Sequence, residues 1–178
     1  MSNHKNLSKD IKIESINSKE TNKIIDSVYN ILESNKLLAL STLNKIDNQP
    51  NVCCVYYVFD DKLNLYFWTD PNSQHSKNIS KNHKIAVDIY DSHQEWGSLL
   101  KGLQIFGISM PVSQKEVLFS GALYLKRFMK ASKFIKSLKD FNSKKFDSKI
   151  YKIVINKIKV LDEANFGKEI YKELIIKR

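Results

Sequence analysis

Cysteine, proline, glycine and arginine are all scarce in this 178-residue chain, and each shortage removes a class of protein. The two cysteines, Cys53 and Cys54, are adjacent and alone, so there is neither a disulfide framework nor a zinc-site spacing. Strand alternation points them to opposite faces, which predicts reduced cytoplasmic thiols, at least one of them buried. Three prolines and five glycines leave no long linker and no glycine-rich phosphate loop. Arginine occurs twice, at Arg127 and Arg178, which weakens any case for bidentate recognition of bases or phosphates. The longest apolar runs fall far short of a bilayer span. No apolar run follows a basic N-terminal segment, so neither membrane insertion nor a secretion signal is expected.

What is present is a core. A hydrophobic fraction of 42% over this length predicts one folded domain, residues 19–178, behind a polar tail at 1–18. The formal charge of +10 permits nucleic acid, anionic surfaces or anionic small molecules as partners without choosing among them.

Hydrophobic periodicity then orders the elements. Ser18 is placed to cap a helix to Ser34, whose Ile24, Ile25, Val28, Ile31 and Leu32 share one stripe. Leu37–Leu43, Val52–Asp60 and Leu63–Thr69 read as strands, joined by turns rich in Asp, Asn and Pro. Pro71 ends the third strand, and Ser73 opens a short helix to about Lys81. Ile85–Tyr90 and Leu99–Ile108 are the next strands, the latter carrying Gly102 and Gly107, where a bulge or a close backbone approach is expected. Ser113 and Glu116 match a capping box for a helical region of about 113–140, broken near Gly121. Lys149–Val160 closes the domain, with Tyr151, Ile153 and Ile155 on one face. The fold class is therefore mainly β with peripheral helices, a six-stranded antiparallel barrel.

Two segments carry candidate chemistry. Thr69 and Ser73 offer hydroxyls, His75 an imidazole, Lys77 a positive charge, and the amides opening the short helix can meet anionic oxygens. The plain alternative is a capped connecting helix. In Lys101–Gly107, Gly102 and Gly107 let a flat ring approach the backbone, and Gln104 matches the mixed donor and acceptor edge of a heteroaromatic ring. There the alternative is a curved strand with Gln104 facing solvent. His83 and His93, taken with Asp88 or Asp91, have no compact ligand spacing, so no metal is expected, and no serine stands in a nucleophile elbow. Arg127, Lys130, Lys133, Lys136 and Lys139 recur every third residue, a basic stripe that winds around its helix. It reads either as a contact for nucleic acid or an anionic surface, or as a solvated face.

The stretch YFWTDPNSQHSKNISKNHKIAVDIY, followed by GLQIFG, resembles the pyridoxamine 5'-phosphate oxidase-like family of FMN-binding split barrels. The family order is a strand ending in Thr, a Ser and basic turn, a short helix with an apolar anchor, and a strand. Here Thr69, Ser73, Gln74, His75 and Ile79 keep that order, and the likeness covers about Leu37 to Val160. The C-terminal Phe166, Gly167 and Lys168 resemble a small bacterial branch of the same superfamily. The resemblance implies a homodimer with FMN in grooves between subunits. Ser73 and His75 would contact the phosphate, Thr69 and the Val52–Cys54 backbone would lie near the flavin or ribityl chain, and Gln104 would sit beside the ring. Where the oxidases carry Arg and Lys on the phosphate, this chain has Gln74 and His75. The implied activity is an FMN-dependent oxidoreductase or flavin reductase acting on a small molecule, with NAD(P)H as a candidate donor. Noncatalytic flavin or haem binding, and nucleic-acid binding through the basic stripe, are the other classes.

Overall fold

The computed structural model describes residues 12–15, 20–128 and 148–178. Its elements are β1 (Lys12–Ser15), α1 (Thr21–Ser34), β2 (Leu37–Leu43), β3 (Pro50–Phe59), β4 (Asn64–Thr69), α2 (Gln74–Lys81), β5 (Lys84–Tyr90), β6 (Lys101–Pro111), α3 (Gln114–Arg127), β7 (Lys149–Asp162), α4 (Glu163–Phe166) and β8 (Tyr171–Lys177). All pairings are antiparallel, and the order β7-β4-β3-β2-β5-β6 returns to β7 to close a six-stranded barrel.

The barrel is split at β7. Residues Lys149–Val154 pair with β4, whereas Lys157–Leu161 pair with β8, which in turn pairs with β1. A 14-residue strand reaches about 45 Å, far beyond the six residues of β4, so its second half takes another partner. Between the halves the register with β6 slips, so that Phe106 faces Lys157 and Gly107 faces Ile155. Asn156 is the extra residue. The bulge resets the alternation, turning Tyr151, Ile153 and Ile155 inward before it and Ile158 and Val160 inward after it. β8 has no counterpart among the strands expected from periodicity, and β1 falls inside the segment whose composition reads as a tail.

Side chains of all six barrel strands fill the interior, including Leu40, Tyr57, Phe67, Val87, Ile105 and Ile153. Burying each such side chain is worth about 1.5–3 kcal/mol. Ile79 of α2 and Ile24, Val28 and Leu32 of α1 join this core, α2 lying where β2, β4 and β6 end and β3 and β5 begin. α1 begins at Thr21 with Glu20 at its N-cap, and Ser18 lies outside the described residues. Glu20 makes no capping bond and instead accepts from Lys172 Nζ at 2.7 Å.

α3 lies against the outside of β3, β4 and β7, where Val117 and Tyr124 pack on Val58, Tyr66 and Ile150. The Ser113–Glu116 capping box forms, but the helix runs on through Gly121, which is buried in it. Tyr124 Oη donates to the Tyr56 and Tyr66 carbonyls.

Arg127, the first residue of the expected basic stripe, turns inward. Its guanidinium donates to the carbonyls of Leu32 at 2.6 Å and Asn35 at the end of α1, and lies over the rings of Tyr57 and Phe59. A cation at a helix C-terminus satisfies carbonyls that the helix leaves open. Arg127→Met is expected to lower unfolding stability by about 2–3 kcal/mol, through lost charged hydrogen bonds and ring contacts. Urea unfolding measures this, and a midpoint equal to the parent's would contradict the docking role. Lys130, Lys133, Lys136 and Lys139 lie outside the described residues.

Candidate functional site

The expected site residues separate into two groups. The first gathers where β4 gives way to α2. Ser73 stands at the N-cap of α2, its Oγ accepting from Ser76 N at 3.3 Å. Its hydroxyl also lies 2.7 Å from the Asp70 carbonyl and 2.9 Å from Ser76 Oγ. His75 Nε2 sits 2.6 Å from Thr69 Oγ1 and 3.0 Å from Ser73 Oγ, so one ring nitrogen is shared by two hydroxyls. It donates to one or accepts from one according to its tautomer.

Burial pushes the His75 pKa below its usual value, against the opposing pull of Asp70. The imidazole is therefore uncharged at neutral pH. Beyond it, Gln74 Nε2 donates to Asn78 Oδ1, and Asn78 Nδ2 donates to Thr42 Oγ1 and Asn51 Oδ1. These bonds tie α2 to β2 and β3. Lys77 is exposed, outside this network. The amides of Gln74 and His75 open the helix ahead of its first turn bond, from Lys77 N to Ser73 O. Hydroxyls, amides and an imidazole thus form a polar cradle that lacks a fixed cation.

The second group lies on the outer face of β3, β2, β5 and β6, the face α3 leaves open. In-register pairing sets Cys54, Ala39, Asp88, Gln104, Lys159 and Glu173 in one row across β3-β2-β5-β6-β7-β8. At about 4.8 Å per strand, Cys54 and Gln104 are about 14 Å apart. A groove of 550 Å³ lies on the β2–β3 side, lined by Leu37, Cys54, Tyr56, Asp88 and Tyr90 among others. A smaller one of 220 Å³ lies on the β6–β8 side and contains Gln104. Asp88 and Tyr90 border both.

Val52 projects from this face, Cys54 is exposed in the larger groove, and Cys53 packs from the other side of β3 against the core. Neither cysteine is fully buried, contrary to expectation, because β4 pairs with β3 only from Tyr57 onward and leaves Pro50–Val55 partnered by β2 alone. Leu37, Val52, Tyr56, Tyr90 and Phe106 make this an exposed apolar face.

Tyr56 and Tyr90 were not singled out by sequence, and Asp88 was weighed only as a metal partner for His83 and His93. The available signal was period-two alternation, which puts Asp88 and Tyr90 on the outward phase of β5. Burial in the groove wall pushes the Asp88 carboxyl above its ordinary value. His83 Nδ1 meets the Ser109 carbonyl, and His93 stands on an exposed loop beside Asp91. Among the described residues, no three His, Cys, Asp or Glu side chains are grouped to hold a metal. No described helix is long and apolar enough to cross a membrane.

Solved structures share this fold. A protein of unknown function from Agrobacterium tumefaciens superposes with a TM-score of 0.64 at 17% identity, over 84% of this chain. The chain spans 58% of that protein's length. A heme-binding protein from Mycobacterium smegmatis gives 0.63 at 13% identity, over 85% of this chain and 56% of that one. An FAD-binding protein from Mesorhizobium loti gives 0.56 at 14% identity, over 93% and 99%. No curated protein sequence matches. The pyridoxamine 5'-phosphate oxidase family matches residues 24–162, which span the closed barrel from α1 to the end of β7, and the chain belongs to that family.

Proposed function

We propose that the chain is an FMN-binding oxidoreductase or flavin reductase acting on a small molecule, working as a homodimer with NAD(P)H as a candidate electron donor. The observation that carries this reading is the cradle in which Thr69, Ser73 and His75 converge within 3.0 Å at the opening of α2. Its donor set fits a phosphate: two hydroxyls, the Gln74 and His75 amides, and an imidazole able to take a proton. Lys77 adds charge from outside, and Gln74 holds α2 through Asn78. The larger groove fits a planar ring in volume, and a site of 550 Å³ falls within the usual range for cofactors.

Bound FMN would supply hydride and electron transfer. The chain would supply orientation and exclusion of water. Val52, Cys53 and Cys54 would offer a strand along which the ribityl chain could lie, and Gln104, in register beside Asp88, would hold the ring edge. A second protomer over the exposed apolar face would close the groove, since contiguous surface of this kind marks an interface.

Adding FMN to purified protein is expected to shift the flavin absorption bands and quench its fluorescence, and the loaded protein to oxidise NADH or NADPH. Thr69→Val combined with Ser73→Ala is expected to weaken FMN by about tenfold or more, two donors each being worth about 1 kcal/mol. No spectral change at any FMN concentration would refute the assignment.

Haem is the second reading. His93 sits at the rim of the larger groove with Nδ1 held 3.0 Å from Asp91 Oδ1, a carboxylate–imidazole pairing that leaves Nε2 free to face a ligand. A Soret shift on adding haemin, lost in His93→Ala, would favour it over flavin.

A further inference from the structure

One side chain, Asn78, joins three elements. It lies in α2, is only 3% exposed, and donates through Nδ2 to Thr42 Oγ1 at 3.0 Å and Asn51 Oδ1 at 2.9 Å. Thr42 and Asn51 are themselves an in-register pair of β2 and β3, so the amide bridges two neighbouring strands. Its Oδ1 accepts from Gln74 Nε2 at 2.9 Å, one turn back at the opening of the helix. A buried amide engaged at both ends resists displacement, because a shift leaves polar atoms unpaired away from water.

The helix itself is held by other residues. Ile79 anchors it in the core, Ser73 caps it, and Ser76 Oγ donates to the Asp70 carbonyl at 2.8 Å. β3 is the element with fewer ties. From Pro50 to Val55 it pairs with β2 alone, since β4 joins it only from Tyr57 onward. Asn51, one residue before the Val52–Cys54 stretch, is where this half of β3 is bonded to α2. Asn78 thus reaches Gln74 beside the cradle in one direction and the start of the open strand in the other.

We propose that Asn78 is a positioning residue for the flavin: without touching the ligand, it fixes the spacing between the phosphate cradle and the strand that takes the ribityl chain. This role rests on the flavin reading and adds the residue that sets its two halves in register. A ligand that spans both halves gains from the second contact only when their spacing matches its own length. Phosphate alone or riboflavin alone touches one half and gains nothing from that spacing.

Asn78→Ala tests the role in the whole chain with three probes. FMN and riboflavin are followed by quenching of their fluorescence, and inorganic phosphate by its competition with FMN. FMN is expected to bind about tenfold more weakly than to the parent, with riboflavin and phosphate each within about twofold of their parent values. A merely structural tie would lower the urea midpoint and weaken all three probes together. Thr42 supplies a second measurement at the far end of the bridge. Thr42→Val keeps the shape and removes the acceptor, so the ratio of FMN to riboflavin affinity should fall by about threefold. Thr42→Ser keeps the hydroxyl and should hold the parent's ratio. Should Asn78→Ala misfold, the two Thr42 variants decide alone. Equal weakening of FMN and riboflavin, an unchanged FMN affinity, or no difference between the Thr42 variants would overturn the proposal. Failure of the flavin reading would appear in the parent itself, as an FMN titration without spectral change, and would take the positioning role with it.

Discussion

Gly107→Val is expected to abolish the folded barrel, or to cost more than about 4 kcal/mol if any folded protein is recovered. A Cβ at Gly107 would stand 2.2 Å from the Val154 carbonyl oxygen and 3.1 Å from Ile155 Cα. Both are backbone atoms of β7, so no side-chain rotation relieves the clash. They lie just before the point where β7 slips against β6, and β7 there passes from β4 to β8. Moving it disturbs three strand pairings at once. Gly102, five residues earlier on β6, is the internal control. A Cβ there approaches Ile89 O at 3.3 Å and Tyr90 Cβ at 3.6 Å, so Gly102→Ala should change stability by no more than about 1 kcal/mol. Expression, circular dichroism and urea unfolding of the two variants test the contrast. A Gly107→Val protein with the parent's midpoint would show that β6 and β7 are not in close approach.

That glycine also shows what alternation can and cannot convey. The pair Gly102 and Gly107 marks β6 as a strand with a bulge or close approach, and the structure has both at Gly107. Period two likewise put Tyr151, Ile153 and Ile155 on one face, which the structure shows to be the inward one. What alternation lacks is the partner. Nothing local in Lys149–Asp162 says that its first half pairs with β4 and its second with β8, because those contacts depend on which edge is open once the barrel closes. The charged, short YKELIIK segment is a strand only because β7 overshoots β4. Arg127 misleads for a related reason. Spacing along the helix places it in a basic stripe, while its partners are carbonyls more than ninety residues earlier.

The candidate site divides along the same line. Ser73 as a helix cap, and its neighbours Thr69 and His75, were legible because residues within six positions of each other make the cradle. The row from Cys54 to Glu173 was not, since it assembles six strands that only the register brings side by side. Gln104 was marked by its own chemistry, but that Asp88 stands beside it in register emerges only from the pairing of β5 with β6. Local motifs locate the end of a ligand, and the sheet register defines the surface that receives the rest.

Gln74→Arg with His75→Lys is expected to tighten FMN binding by about 100-fold and to flatten its dependence on pH. In the parent chain His75 is the cradle's titratable group, and burial holds its pKa below the ordinary 6.5. The imidazole is neutral at pH 7, and a phosphate dianion placed against it would favour the protonated ring. Binding then takes up a proton, so affinity should rise as pH falls from about 8 toward about 6, where the phosphate itself begins to protonate. The slope cannot exceed tenfold per pH unit for one proton. A lysine carries its charge throughout that window, and an arginine at position 74 adds a forked donor, so the slope should vanish as affinity rises. The fold responds in the opposite sense. With its folded pKa depressed, His75 is protonated more readily in the unfolded chain. Its contribution to stability is complete above pH 6.5 and declines as pH falls toward the depressed value. FMN-free protein should therefore unfold at lower urea at pH 5.5 than at pH 7, while the parent's flavin affinity moves the other way over the range above pH 6. An FMN affinity independent of pH in the parent, and unchanged in the double variant, would remove the phosphate from this cradle.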